Sequence, residues 1–223
     1  MVSINLPEVN SVIHECPISE LHTVVEAESV DVILTDPPYP REYLSVYRDL
    51  RDFAIHALKP SGHLLAMSGH AWMRDLLNLM YCEDNGIRFQ WMISQRVRGR
   101  NNGNLGRRIC RIAWKPILWY IKPPSNCHIQ MPDEFDARGK DKRYHTWGQN
   151  VDEMQMYLHY VARGGGKVIC DPFVGGGTTG LAALQHECSF IGADIDPECI
   201  ETTRYRLMNH QLLLPIDGGE GKP

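Results

Sequence analysis

The 223-residue sequence contains no run of about 18 apolar residues, so no membrane-crossing helix is expected. Its first residues, MVSINLPEVNS, lack the basic-then-apolar pattern of a secretory leader, and a cytoplasmic location is expected. There is no CxxC pair. The seven cysteines stand alone at 16, 82, 110, 127, 170, 188 and 199, an odd number lying partly in apolar runs. They read as reduced, mostly buried thiols, not as a disulfide framework or a zinc site. His14, Glu15 and Cys16 are consecutive and cannot easily converge on one ion. No metal is expected, and no internal repeat is evident.

What is present is ordinary in amount and unusual in placement. Hydrophobic residues make up 43% and charged residues 22%, enough for one large domain with a real core. The net charge of −4 conceals a segregation. Residues 87–132 hold nine of the 23 Lys and Arg and no acid, leaving 14 basic against 27 acidic residues elsewhere. A polyanion-binding face on an acidic body is the expectation. Arg96, Arg98, Arg100, Arg107, Arg108, Arg111 and Lys115 are its candidate phosphate contacts, interleaved with Asn and Gly that permit close backbone approach. Trp91, Trp114, Trp119 and Trp147 are available to line a cleft.

Strand and helix patterns alternate along the chain, which predicts an α/β fold with a doubly wound, mostly parallel sheet. Strands are expected at 11–16, 29–36, 62–69, 87–94, 166–171 and 188–194. Residues 109–122 should form an extended pair of strand segments. Helices are expected at 42–58, near 70–81, at 150–163, from about Thr178, and at 197–213 behind Pro197. Residues 123–146 are polar and Pro-rich. The Gly-rich tail 215–223 should be frayed.

The turn DPFVGGGTTG holds GxGxxG as Gly175, Gly177 and Gly180. A strand precedes it, a helix follows, and Asp194 ends the next strand. This context marks a Rossmann-like nucleotide-binding crossover. No lysine follows the glycines, so it is not a P-loop. Asp171 closes the preceding strand, where a dinucleotide would place its pyrophosphate. A carboxylate there suits a ligand with a protonated amine and no phosphate, such as S-adenosylmethionine. Asp194 is placed to accept hydrogen bonds from ribose hydroxyls. A mere turn-capping role for Asp171 is the plainer alternative.

A second corner reads VDVILTDPPYP, residues 30–40. Asp36 ends a buried strand expected to share a rim with Asp171. Pro37 and Pro38 fix φ and lack N–H donors, making a rigid turn. The Asp36 carboxylate and the Pro37 carbonyl together offer two acceptors to the two N–H bonds of an exocyclic base amine. Holding that nitrogen would localise its lone pair and stabilise the charge that develops on methylation. Tyr39 offers a ring for stacking, worth about 1–3 kcal/mol per base.

DPPY at 36–39 followed by DPFVGGGTTGLAAL at 171–184 resembles the amino-group DNA methyltransferases, N6-adenine or N4-cytosine, of the permuted beta-type order. The resemblance covers about 11–210. It implies one methyltransferase domain over 1–214, with a small basic target-recognition insertion at about 94–145. It implies catalysis at Asp36, Pro37, Pro38 and Tyr39. It also implies a cofactor pocket of Asp171, Phe173, Gly175, Gly177, Thr178, Thr179 and Asp194, double-stranded DNA as partner, and a possible homodimer. Two departures stand out. Where the family has a Lys-Pro signature, this chain reads TWGQN, so Thr146, Gln149 and Asn150 are the candidates for the methionine carboxylate. The opening strand ends HEC where the family has GDC, which makes Glu15 the candidate beside the cofactor adenine. Asp before PPY leans toward adenine N6, with cytosine N4 the alternative. An RNA or protein-glutamine methyltransferase fits less well with the motif order and the basic stretch. A silent DNA-docking protein fits less well with an intact Asp36 and Tyr39. A nicotinamide dehydrogenase is disfavoured by Asp171.

Overall fold

The structure, a computed structural model, describes residues 10–82, 86–97, 112–125, 128–137 and 150–213. In chain order its elements are β1 (Ser11–Glu15), α1 (Ile18–Leu21), β2 (Val30–Thr35), α2 (Ser45–Ala57), β3 (Leu58–Met67) and α3 (Met73–Met80). There follow β4 (Arg88–Val97), β5 (Trp114–Ile121), β6 (Glu134–Ala137), α4 (Val151–Val161), β7 (Val168–Asp171), α5 (Thr178–Gln185), β8 (Ser189–Asp194) and α6 (Pro197–Leu213).

The eight strands form one sheet in the order β1-β8-β7-β2-β3-β5-β4-β6. All neighbours pair in parallel except those involving β5, which is antiparallel to both β3 and β4. Side-chain alternation divides the core between the two faces. Val32, Leu34, Leu65, Met67, Ile117 and Trp119 face α4, α5 and α6. Ile33, Leu64, Ala66, Leu118 and Tyr120 face α1, α2 and α3. The central strands are therefore apolar on both sides, as a sheet covered by helices requires. Each fully buried leucine there contributes about 1.5–3 kcal/mol.

The far end of the sheet is pinned by one carboxylate. At the start of β2, Asp31 accepts from Lys59 Nζ of β3 at 2.7 Å and from the Val168 N–H of β7 at 2.9 Å. Lys167 Nζ stands 3.5 Å away. Burial opposes the charge on Asp31, but these partners outweigh it and hold the carboxyl below its ordinary value.

Several boundaries differ from the sequence expectation. The strand expected at 62–69 begins at Leu58, because α2 runs straight into it through an extended C-cap, and Ser61 absorbs the kink with φ +65°. Helix α1 is too short for a periodic signal. Strand β6 has a single apolar anchor, Phe135, whose ring packs 5.2 Å from that of Tyr157. Both β5 and β6 fall inside the interval 94–145 read from sequence as an insertion, so part of that interval is sheet.

Candidate active site

Between β7 and β2 the winding of the sheet reverses. From β7 the chain proceeds through α5 to β8 on one side; from β2 it proceeds through α2 to β3 on the other. Helices α5 and α2 cover opposite faces. A crevice opens at such a switch point, outside the carboxyl ends of the two strands. Asp171 ends β7 and Asp36 follows β2, so both acids stand at this crevice.

A hydroxyl links the two corners. Thr35 Oγ1 donates to Asp171 Oδ1 at 2.6 Å, and the Phe173 N–H donates to the same oxygen at 3.1 Å. Asp171 is 3% exposed. Burial raises its carboxyl to about 6, against the lowering effect of bonds from Thr35, Thr179 and Phe173, while the nearby charge of Asp36 adds to the rise. Sequence reasoning missed Thr35; only its place immediately before the DPPY acid pointed to it.

The glycine turn divides its labour. Gly177 caps α5 with φ +76°, and a Cβ there would lie 2.9 Å from Thr203 Oγ1. A Cβ on Gly180 would meet the Phe190 ring at 2.7 Å, so this glycine serves helix-to-strand packing. Gly175 is different. Its φ is +47°, and the nearest atom to an added Cβ is the Phe173 carbonyl at 4.0 Å, so its face opens into free space. The Gly175 N–H donates to Asp194 Oδ2 at 2.9 Å, which ties the turn to the end of β8. Asp194 Oδ1 accepts from the Asp196 N–H at 3.1 Å. Glu15 is paired in register with Asp194 and exposed on the same rim. Thr178 and Thr179 are buried in the first turn of α5.

At the other corner Pro37 is buried, while Asp36, Pro38 and Tyr39 are half-buried. The Tyr39 hydroxyl donates to Asp36 Oδ1. Burial, together with the Asp36 charge, pushes the Tyr39 phenol far above its ordinary value, so it stays a donor. Behind it a Cβ on Gly69 would lie 3.3 Å from the Tyr39 Cβ; the chain after β3 leaves room for this ring. Lys115, expected among the phosphate contacts, stands in this corner. Its Nζ donates to Asp36 Oδ2 at 2.8 Å and lies 5.4 Å from the centroid of the Tyr39 ring. Because β5 runs against its neighbours, its first residues reach the same rim as the last residues of the parallel strands.

The other expected residues are less gathered. Asn150 uses its side chain to cap α4, accepting from the Asp152 N–H at 3.0 Å. Arg96 pairs with Glu134 across the β4–β6 edge. Trp119 is core, donating from Nε1 to His63 Nδ1 at 3.2 Å, while Trp114 packs edge-on against His70. Trp91 is 55% exposed. Thr146, Trp147, Gln149, Arg98, Arg100, Arg107, Arg108 and Arg111 lie outside the described residues. On the rim beyond Tyr39, Arg41 lies over the Trp72 ring at 5.1 Å, a pairing that nothing in the sequence spacing announced. An open groove of about 500 Å³ between α4, α5 and β6 includes none of the corner residues.

Comparison with known proteins bears on this crevice directly. The N6/N4 methyltransferase family model, described as DNA methylase, matches residues 154–204, which span the glycine turn and Asp194. Type II methyltransferase M.HpaI of Haemophilus parainfluenzae is 23% identical over 227 aligned residues, covering 82% of this chain and 69% of that protein. The chain is thus similar, in its glycine-turn segment and along most of its length, to DNA methylases of the N6/N4 kind. The solved structure of PvuII DNA methyltransferase (cytosine-N4-specific) matches the fold with a TM-score of 0.75 at 15% identity, over 94% of this chain and 88% of that one. The M1.HpyAVI–SAM complex matches with a TM-score of 0.65 at 21% identity, over 88% of this chain and the whole of the other. The eight-stranded sheet shares its fold with these two methyltransferase structures, and its DPPY and glycine-turn corners lie on the adjacent strands β2 and β7. Among the described residues no group of three or more His, Cys, Asp or Glu could hold a metal, and no helix is long and apolar enough to cross a membrane.

Proposed function

We propose that this protein is a DNA methyltransferase that transfers the methyl group of S-adenosylmethionine to an exocyclic amine of a base in double-stranded DNA, the N6 of adenine. One observation carries the reading: the acids that end β7 and follow β2 stand at one crevice, tied by Thr35 at 2.6 Å. The residues suit the cofactor. Asp171 is a buried carboxylate facing a site where a pyrophosphate would be repelled and an α-ammonium attracted. The open face of Gly175 admits a ligand against the backbone. Asp194 and Glu15 offer carboxylate acceptors on the adjoining strand ends, of a kind that suits ribose hydroxyls and an adenine amine. When bound, S-adenosylmethionine supplies an electrophilic methyl on a sulfonium.

The rest of the chemistry belongs to the DPPY corner. Asp36 and the Pro37 carbonyl accept the two N–H bonds of the target amine, and the rigid Pro37–Pro38 turn fixes their spacing. As the nitrogen gains a carbon and positive charge, the Asp36 carboxylate stabilises that charge and then takes the surplus proton. Tyr39 stacks on the extruded base and offsets the few kcal/mol that flipping costs. Asp at 36 before Pro-Pro-Tyr supports adenine through its resemblance to the N6 enzymes. Cytosine N4 remains the second reading, because the same two acceptors fit either amine. Expression in a host, digestion of its DNA to nucleosides and mass analysis distinguish them. N6-methyladenine supports the proposal; N4-methylcytosine replaces it with the second reading; neither base overturns both.

A further inference from the structure

Lys115 is oddly placed for a lysine next to a basic stretch of sequence. Only 16% of its side chain is exposed, and its ammonium makes three contacts inside the catalytic corner. It donates to Asp36 Oδ2 at 2.8 Å, lies 3.2 Å from Met67 Sδ, and sits over the Tyr39 ring 5.4 Å from its centroid. Its backbone is fixed as well. The next residue, Pro116, accepts at its carbonyl from the Ser68 N–H at 2.9 Å, which locks the start of β5 to the end of β3. The ammonium is thus a nitrogen donor to Asp36 lying over the face of Tyr39. A flipped base would make the same pair of contacts, an amine N–H on the carboxylate and a ring on the tyrosine.

The two occupants exclude each other. One reason is steric, since both use the same carboxylate and the same ring face. The other is electrostatic. The reacting amine gains positive charge, and a fixed ammonium beside it would oppose that charge in a site partly shielded from water. We infer that Lys115 is a placeholder for the target amine. It satisfies Asp36 in the free enzyme and must leave when the base enters. This inference rests on the methyl-transfer reading above. Its consequence is selectivity. A base edge carrying an N–H₂ donor replaces the ammonium on Asp36 with another donor. A base edge carrying a carbonyl there, as thymine does, offers no replacement and leaves the lysine in place. Lys115 therefore acts as a specificity-determining residue, on a four-carbon stem long enough to swing to the rim.

The test uses the full-length enzyme, labelled S-adenosylmethionine and unmethylated genomic DNA, with Lys115→Met and Lys115→Arg beside the wild type. Label transfer by the wild type establishes the underlying reading; without it that reading fails whatever the variants do. With it, Lys115→Met should lower KM for DNA several-fold and raise kcat/KM through KM. Lys115→Arg, whose planar fork holds a carboxylate in two bonds and lets go less readily, should raise KM. Melting midpoints and cofactor binding near the wild type confirm intact folds. A fall of kcat of tenfold or more in Lys115→Met at unchanged KM would make the lysine a working part of the corner and overturn the placeholder. A raised KM in Lys115→Met with a shallower salt dependence would make it a phosphate contact and overturn it equally. Unchanged kinetics in both variants would also overturn it.

Discussion

Under the proposed function, Asp36, Tyr39 and Asp171 carry separable duties. Asp36→Ala removes an acceptor for the amine and leaves the glycine turn untouched. Methyl transfer should be lost while the cofactor Kd changes less than about threefold, measured by calorimetry. Tyr39→Phe keeps the stacking face and should be mild. Tyr39→Ala forfeits the roughly 1–3 kcal/mol of stacking and should cost tenfold or more in kcat/KM. Asp171 has a pH signature. Its carboxyl titrates near 6 in the fold, against an ordinary 3.8. The folded protein therefore keeps a proton that the unfolded chain has lost, and stability falls as pH rises from about 4 to about 6. Asp171→Asn should melt higher than the wild type at pH 7 and bind S-adenosylmethionine more weakly. The wild type's own affinity for the cofactor should tighten as pH rises through about 6, as the carboxylate ionises. An affinity flat between pH 5 and 7 would remove Asp171 from the pocket.

At the scale of elements, the glycine turn separates folding from binding. Gly177→Ala places a Cβ 2.9 Å from Thr203 Oγ1 at φ +76°, and should destabilise the fold by about 1–3 kcal/mol in a denaturant titration. Gly175→Ala meets open space, so its folding cost is confined to the left-handed backbone, about 1–2 kcal/mol. Its larger effect should be on cofactor affinity. The sequence made these elements legible to different degrees. β2, β7 and β8 were readable because continuous apolar runs end on acids, and α5 because a strand and glycines announce it. The rim position of Asp36 beside Asp171 followed from the parallel-sheet rule alone. What was not legible was tertiary in origin. β6 holds its place through Phe135 packing on α4. Asn150 caps a helix and Lys115 turns inward to Asp36, and spacing along the chain distinguishes neither from a ligand contact. The basic count around Lys115 points to a phosphate role, because a run of charge carries no direction. β5, antiparallel to both of its neighbours, starts at the rim where they finish.

For the whole molecule, charge segregation is the dominant long-range feature. Binding to duplex DNA should weaken steeply with salt; if about six phosphates are engaged, the slope of log K on log salt is near −5. A flat response in a titration between 50 and 200 mM salt would remove the basic stretch from the interface. His63 supplies a counterweight to Asp171 in the acid range. Burial in β3 lowers its imidazole to about 4, so acidification below its ordinary 6.5 protonates the unfolded chain first and draws stability away. The two groups tilt stability in opposite senses between about 4 and 6.

The reversed direction of β5 also has an architectural outcome. Arg96 near the end of β4 and Trp114 at the start of β5 are register partners, so the chain departs from the sheet and rejoins it at neighbouring points on the rim that holds Asp36 and Asp171. Under the proposed function, exchanging the residues between those two points for others in different number, with the β4–β5 root kept, gives one frame a simple route to new DNA sequences.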